Sequence, residues 1–124
     1  IMNGIVHHVG ALGYTATLAA YAEGKPWHNA LVDYLRVNRD CVESSLSAHT
    51  QLTIYHSEAT YLTWIDARQM NVENPSKYFE NFGIGIYDGA PFGAPGFLRL
   101  NFACPKTMLI EALDRIQRGI NALT

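Results

Sequence analysis

Phe97-Leu98-Arg99-Leu100-Asn101-Phe102 is an alternating run. Successive side chains of an extended strand point to opposite faces, so Leu98, Leu100 and Phe102 share one side while Phe97, Arg99 and Asn101 share the other. The leucine side must be buried against helices. The arginine side faces away from the segment's own core, a pattern expected of a strand in an antiparallel sheet covered on one face only.

The run is framed by punctuation. Upstream, Gly89-Ala90-Pro91-Phe92-Gly93-Ala94-Pro95-Gly96 reads as a loop, with three glycines and two prolines in eight residues. Directly before the strand, it is placed to border a cleft. Downstream, Pro105 opens a final helix whose Leu109, Ala112, Leu113, Ile116, Ile120 and Leu123 form one apolar stripe. Further upstream, Ile84 and Ile86 between glycines suggest a brief strand, and Asn74-Pro75 caps and opens a helix to Phe82. Tyr61 to Asp66 and Gln51 to Tyr55 are strand-like runs of β-branched and aromatic residues.

Two helices precede them. Ile5 to Ala22 reads as the first, ended by Gly24. Pro26 then sits in the first turn of a long amphipathic helix through Trp27, Leu31, Leu35, Cys41, Val42 and Leu46. The order is two helices, two strands, a helix, two strands and a helix. This predicts an α+β, two-layer sandwich: a small, mainly antiparallel sheet covered on one face by helices and preceded by two helices.

The composition excludes several functions. The 124 residues are 48% hydrophobic and 16% charged, with a net charge of −2, which is no electrostatic footprint for nucleic acid or an anionic membrane. The apolar runs fall far short of the ~20 residues that span a bilayer. No charged-then-apolar leader pattern opens the sequence. Cys41 and Cys104 are too few for a disulfide framework, so a reducing, cytoplasmic setting is expected. His7 and His8 are adjacent and diverge on a helix, and His28, His49 and His56 lack zinc-site spacing, so no metal site is expected. Gly83, Gly85 and Gly89 surround a strand and do not open a helix, unlike a dinucleotide loop. Trp27, Trp64 and the tyrosines, with no basic groove beside them, read as core and interface material. No catalytic triad is assembled.

Arg99 is the informative residue. A guanidinium on a rigid strand is suited to gripping a carboxylate through two parallel hydrogen bonds. By spacing alone it can equally be a solvated arginine or the partner of an acid in the same domain.

A resemblance bears on that choice. Ala59-Thr60-Tyr61-Leu62-Thr63-Trp64-Ile65-Asp66, followed by Phe97 to Asn101 and Phe102-Ala103-Cys104-Pro105, resembles the C-terminal small domain of fold-type I pyridoxal-phosphate enzymes. It is most similar to the cystathionine β-lyase-like branch of the class I/II aminotransferases. Tyr21-Ala22-Glu23-Gly24 with Trp27, the helix to Leu46 and the Leu109 to Leu113 helix fit the same branch. The resemblance implies that residues 1–24 form a connecting helix from a large cofactor-binding domain lying upstream, and residues 25–124 the small domain. It places Arg99 as the clamp on the substrate α-carboxylate and gives Asn101 no role. The Schiff-base lysine and the groups that hold pyridoxal phosphate lie in that large domain. Lys25, Lys77 and Lys106 match no such motif and read as solvated surface lysines.

The implied activity is therefore that of a pyridoxal-phosphate enzyme acting on an amino acid. It is either a C–S β-lyase on a cystathionine-like substrate or an aminotransferase, which this segment does not distinguish, and the isolated chain is expected to be inactive. The implied partners are the amino-acid substrate, the protein's own large domain and a second copy in a homodimer, with neither nucleic acid nor membrane. The alternative is a free-standing binding or dimerisation module without catalysis.

Overall fold

Gly24 joins the first two helices where a side chain would run into the Ala20 carbonyl, while its own N–H donates to that carbonyl at 2.9 Å. The computed structural model of the chain describes residues 10–123. Ile5 and the adjacent His7 and His8 of the sequence reading lie outside them. The first helix, α1, spans Ala11–Glu23, and α2 spans Lys25–Leu46. The chain divides into two compact units, one ending at Tyr34 and the other running from Leu35, so the division falls inside α2. In the first unit, α1 buries none of its residues, and Leu12, Leu18, Tyr21 and Trp27 are exposed.

In the second unit, β1 (Thr53–Tyr55), β2 (Leu62–Asp66), β3 (Tyr87–Asp88) and β4 (Phe97–Asn101) form one sheet in the order β1-β2-β4-β3. Every pairing is antiparallel. The helix α3 spans Pro75–Glu80 and α4 spans Lys106–Asn121. The side chain of Asn74 caps α3 by accepting from the Lys77 N–H at 3.0 Å, which satisfies a donor that the first turn cannot.

The core lies on the helix-covered face. Leu98 and Leu100 of β4, Ile65 of β2 and Phe102 pack with Val42 and Leu46 of α2, Phe79 of α3, and Leu109, Leu113, Ile116 and Ile120 of α4. Burying these side chains is the main force holding the layers together, at roughly 25 cal/mol per Å² of apolar surface. Asn38, fully buried on α2, donates from Nδ2 to the carbonyls of Phe102 (2.9 Å) and Cys104 (3.0 Å). These bonds fasten the exit of β4 to the helix layer.

Among the described residues this is the expected α+β architecture of four helices and a four-stranded antiparallel sheet. One element differs. The expected strand at Ile84 and Ile86 falls just after them, at Tyr87–Asp88. The two isoleucines are buried anchors in the segment leading into it, and Ser76 holds that segment by donating to the Ile86 carbonyl at 2.6 Å.

Candidate functional site

The sheet face opposite the helices carries the residues of interest. Strand register places Tyr55 opposite Trp64, Trp64 opposite Arg99, and Arg99 opposite Tyr87. One row therefore crosses all four strands with Arg99 between Trp64 and Tyr87. The adjacent row runs from Thr53 to Asp66 to Phe97.

Arg99 is half-buried. Its guanidinium carbon lies 4.8 Å from the centre of the Tyr87 ring and 4.6 Å from that of Phe92. Its Nε is buried and has no hydrogen-bond partner. Among the described residues no carboxylate lies within ion-pair distance of it, whereas Arg39, Arg68, Arg115 and Arg118 each pair with an acid. An arginine whose neighbours are π faces keeps its charge and its hydrogen-bonding edge for an external anion.

Phe92 reaches Arg99 because the loop before β4 is tightly wound. Ala90–Phe92 form a 3-10 turn, closed by Gly93 at φ +80. The Asp88 carboxylate accepts from the Ala90 N–H at 2.9 Å, and the Gly89 N–H donates to the Phe97 carbonyl at 2.8 Å. Phe92 also meets Trp64 edge-on, ring centres 6.2 Å apart, and Trp64 stacks on Phe97 at 5.6 Å. The Arg68 guanidinium carbon lies over the Phe97 ring, 4.9 Å from its centre, and Arg68 is tied to Asp66 through Nη2–Oδ2 at 2.7 Å and Nε–Oδ1 at 3.0 Å. The hydrogen bonds and charge of Arg68 hold the Asp66 carboxyl below its ordinary value.

Asn101 shares the face but is exposed, and its side chain accepts from the Ala103 N–H at 2.8 Å, which is a turn contact. The lysines are elsewhere. Lys77 on α3 pairs with Glu80, and Lys25 and Lys106 are exposed at the starts of α2 and α4. Cys41 and Cys104 are half-buried, and burial pushes the Cys104 thiol up. Among the described residues no cluster of three potential metal ligands occurs, and no helix is long and apolar enough to cross a membrane.

Sequence reasoning placed Arg99 on this face but missed the company it keeps. Trp64, which reads in the sequence as core or interface material, is half-buried and braces the loop ring. Tyr87 reads in the sequence only as one of the tyrosines of core or interface, and Phe92 only as part of a loop beside a cleft, yet both rings are exposed. The signal for Phe92 is the Pro-Phe-Gly sequence, in which a left-handed glycine folds the preceding ring back over the strand that follows.

Most of the chain is similar to known proteins. The family model for aminotransferase class I and II matches residues 2–116. Cystathionine beta-lyase of Corynebacterium glutamicum is 36% identical, over 87% of this chain and 30% of its own length. The crystal structure of OvoB superposes with a TM-score of 0.93 at 40% identity, covering 98% of this chain and 32% of that one. A PLP-bound C-S lyase from Staphylococcus hominis superposes with a TM-score of 0.81 at 30% identity, covering 92% of this chain and 33% of that one. The chain thus spans about a third of the length of the relatives it matches.

Proposed function

The chain belongs to the aminotransferase class I and II family, and on that footing we propose that it is the C-terminal small domain of a pyridoxal-phosphate-dependent enzyme in which Arg99 grips the α-carboxylate of an amino-acid substrate. One observation carries the assignment. Arg99 is held on a rigid strand, with a buried Nε, two ring neighbours and no carboxylate of the described chain to neutralise it. Fixing a substrate by one end orients the bonds at its Cα, which converts binding energy into correct alignment.

The described residues hold no attachment point for the cofactor on this face, because the lysines lie on helices. Pyridoxal phosphate supplies the electron sink for bond cleavage at the substrate's Cα, and its binding is assigned to a large domain outside this segment. Residues 1–24 then connect to that domain. The absence of buried residues in α1, and the exposure of Leu12, Leu18 and Tyr21, support a surface that packs against further protein. The names of the relatives favour C–S β-elimination on a cystathionine-like substrate, with transamination as the second reaction of the class. The working form is assigned as a cytoplasmic homodimer.

The test is steady-state kinetics of L-cystathionine cleavage and of transamination, run on the full-length enzyme and its Arg99→Ala variant. Removing one partner of a buried charge pair costs about 2–5 kcal/mol, so kcat/KM falls by roughly 30-fold to several thousand-fold for the native reaction. An unchanged kcat/KM overturns the role. Absence of both reactions from the unaltered protein returns the chain to a binding or dimerisation module.

A further inference from the structure

A long arginine side chain is a poor clamp unless something stops it from moving. Free, it carries rotamer entropy that each binding event must give up. Ion pairs hold most of the chain's other arginines, but here a fixed carboxylate would compete with the ligand. Arg99 instead meets two aromatic rings from different elements, Tyr87 on β3 and Phe92 on the loop. Both rings are largely solvent-exposed, at 65% and 55%, so core packing does not explain their presence. Their backbones are placed by different elements. Tyr87 is the cross-strand partner of Arg99, while Phe92 is set by the Gly89–Gly93 turn and braced by Trp64.

We infer that Tyr87 and Phe92 are positioning residues, whose π faces hold the Arg99 guanidinium in its anion-accepting pose without neutralising it. This rests on the carboxylate-clamp reading of Arg99 and extends it. The rings attract the cation through their quadrupoles but offer no anion, so the hydrogen-bonding edge of Arg99 stays available to a carboxylate. Arginine and ring pair act as one preorganised unit.

The experiment compares inhibition constants for L-norvaline and butylamine, which is the same skeleton without the carboxylate, against L-cystathionine turnover by the full-length holoenzyme. The variants are Phe92→Leu, Tyr87→Leu, the ring-retaining Phe92→Tyr and Tyr87→Phe, and Arg99→Ala. Each leucine variant is expected to weaken L-norvaline by about tenfold, the scale of a partly desolvated cation–π contact. Butylamine inhibition stays unchanged, and the ring-retaining variants behave as the unaltered protein. A merely structural role would weaken both inhibitors alike. That result, or no weakening of either, overturns the inference. If Arg99→Ala selectively weakens L-norvaline while the leucine variants do not, the positioning role alone falls. If Arg99→Ala also leaves L-norvaline unaffected, the clamp and the inference fall together.

Discussion

Trp64 and Arg99 are directly paired across β2 and β4 on the uncovered side of the sheet. Phe92 lies within ring contact of both. The indole, stacked on Phe97 and edge-on to Phe92, joins the strand pair to the loop that shelters the guanidinium. Sheet register and loop conformation therefore act on the same side chain.

Asn38 is the hinge pin between the helix layer and the end of β4, because its one amide nitrogen serves both the Phe102 and Cys104 carbonyls. Asn38→Leu removes both hydrogen bonds but also removes the buried Oδ1 that already lacks a partner. A net loss of about 1–3 kcal/mol is expected, the scale of leaving a buried polar group unsatisfied. Urea denaturation measures it, and an unchanged midpoint contradicts the assigned role.

Asp66 predicts a pH dependence. The Arg68 hydrogen bonds and charge lower its native pKa below the ordinary 3.8. The folded state thus favours the ionised form, and the resulting stability is present above 3.8 and lost as pH falls through the lower native value. Asp66→Asn should therefore be less stable than the unaltered protein at pH 7, with the gap closing at strongly acid pH. Because Arg68 is largely exposed, added salt should narrow the gap as well. Denaturant midpoints across pH test this, and a gap that widens in acid refutes it.

Gly89 sits where the loop folds tightly against β4. A Cβ there would lie 2.5 Å from the Ala94 carbonyl oxygen and 2.8 Å from Phe97 Cβ, so backbone must move. Gly89→Ala is expected to cost about 1–3 kcal/mol as an overpacking change and to loosen Phe92. Thermal unfolding reads the first effect, and exposure of Phe92 in a crystal structure of the variant reads the second. Native stability with an undisturbed loop would contradict it.

Much of this was legible in the sequence, and the exceptions share a cause. The faces of β4 follow from strict alternation, since Leu98 and Leu100 had to be buried and Arg99 could not join them. The apolar stripe of α4 likewise appears as read, with Leu109, Leu113, Ile116 and Ile120 buried. Ile84 and Ile86 misled because burial alone does not make a strand. Both side chains enter the core and the Ile86 carbonyl is taken by Ser76 of α3, and the ladder forms one residue later at Tyr87. The ring neighbours of Arg99 were illegible because they depend on pairing between distant strands and on the conformation of one turn, neither of which local periodicity encodes.

Residues 1–124 alone, mixed with pyridoxal phosphate and treated with borohydride, should gain no stoichiometric single-lysine adduct and turn over no amino acid. Lys77 is engaged by Glu80, and neither Lys25 nor Lys106 lies on the Arg99 face. Mass spectrometry of the treated chain decides. One fully modified lysine would show that the cofactor's attachment site lies within this segment.

The most direct measurement is a crystal structure of the full-length enzyme with a bound amino-acid ligand. The account predicts the ligand carboxylate on the free edge of the Arg99 guanidinium, with two nitrogen–oxygen distances of about 2.7–2.9 Å. A carboxylate bound elsewhere, with Arg99 paired to an acid of the protein, would contradict it.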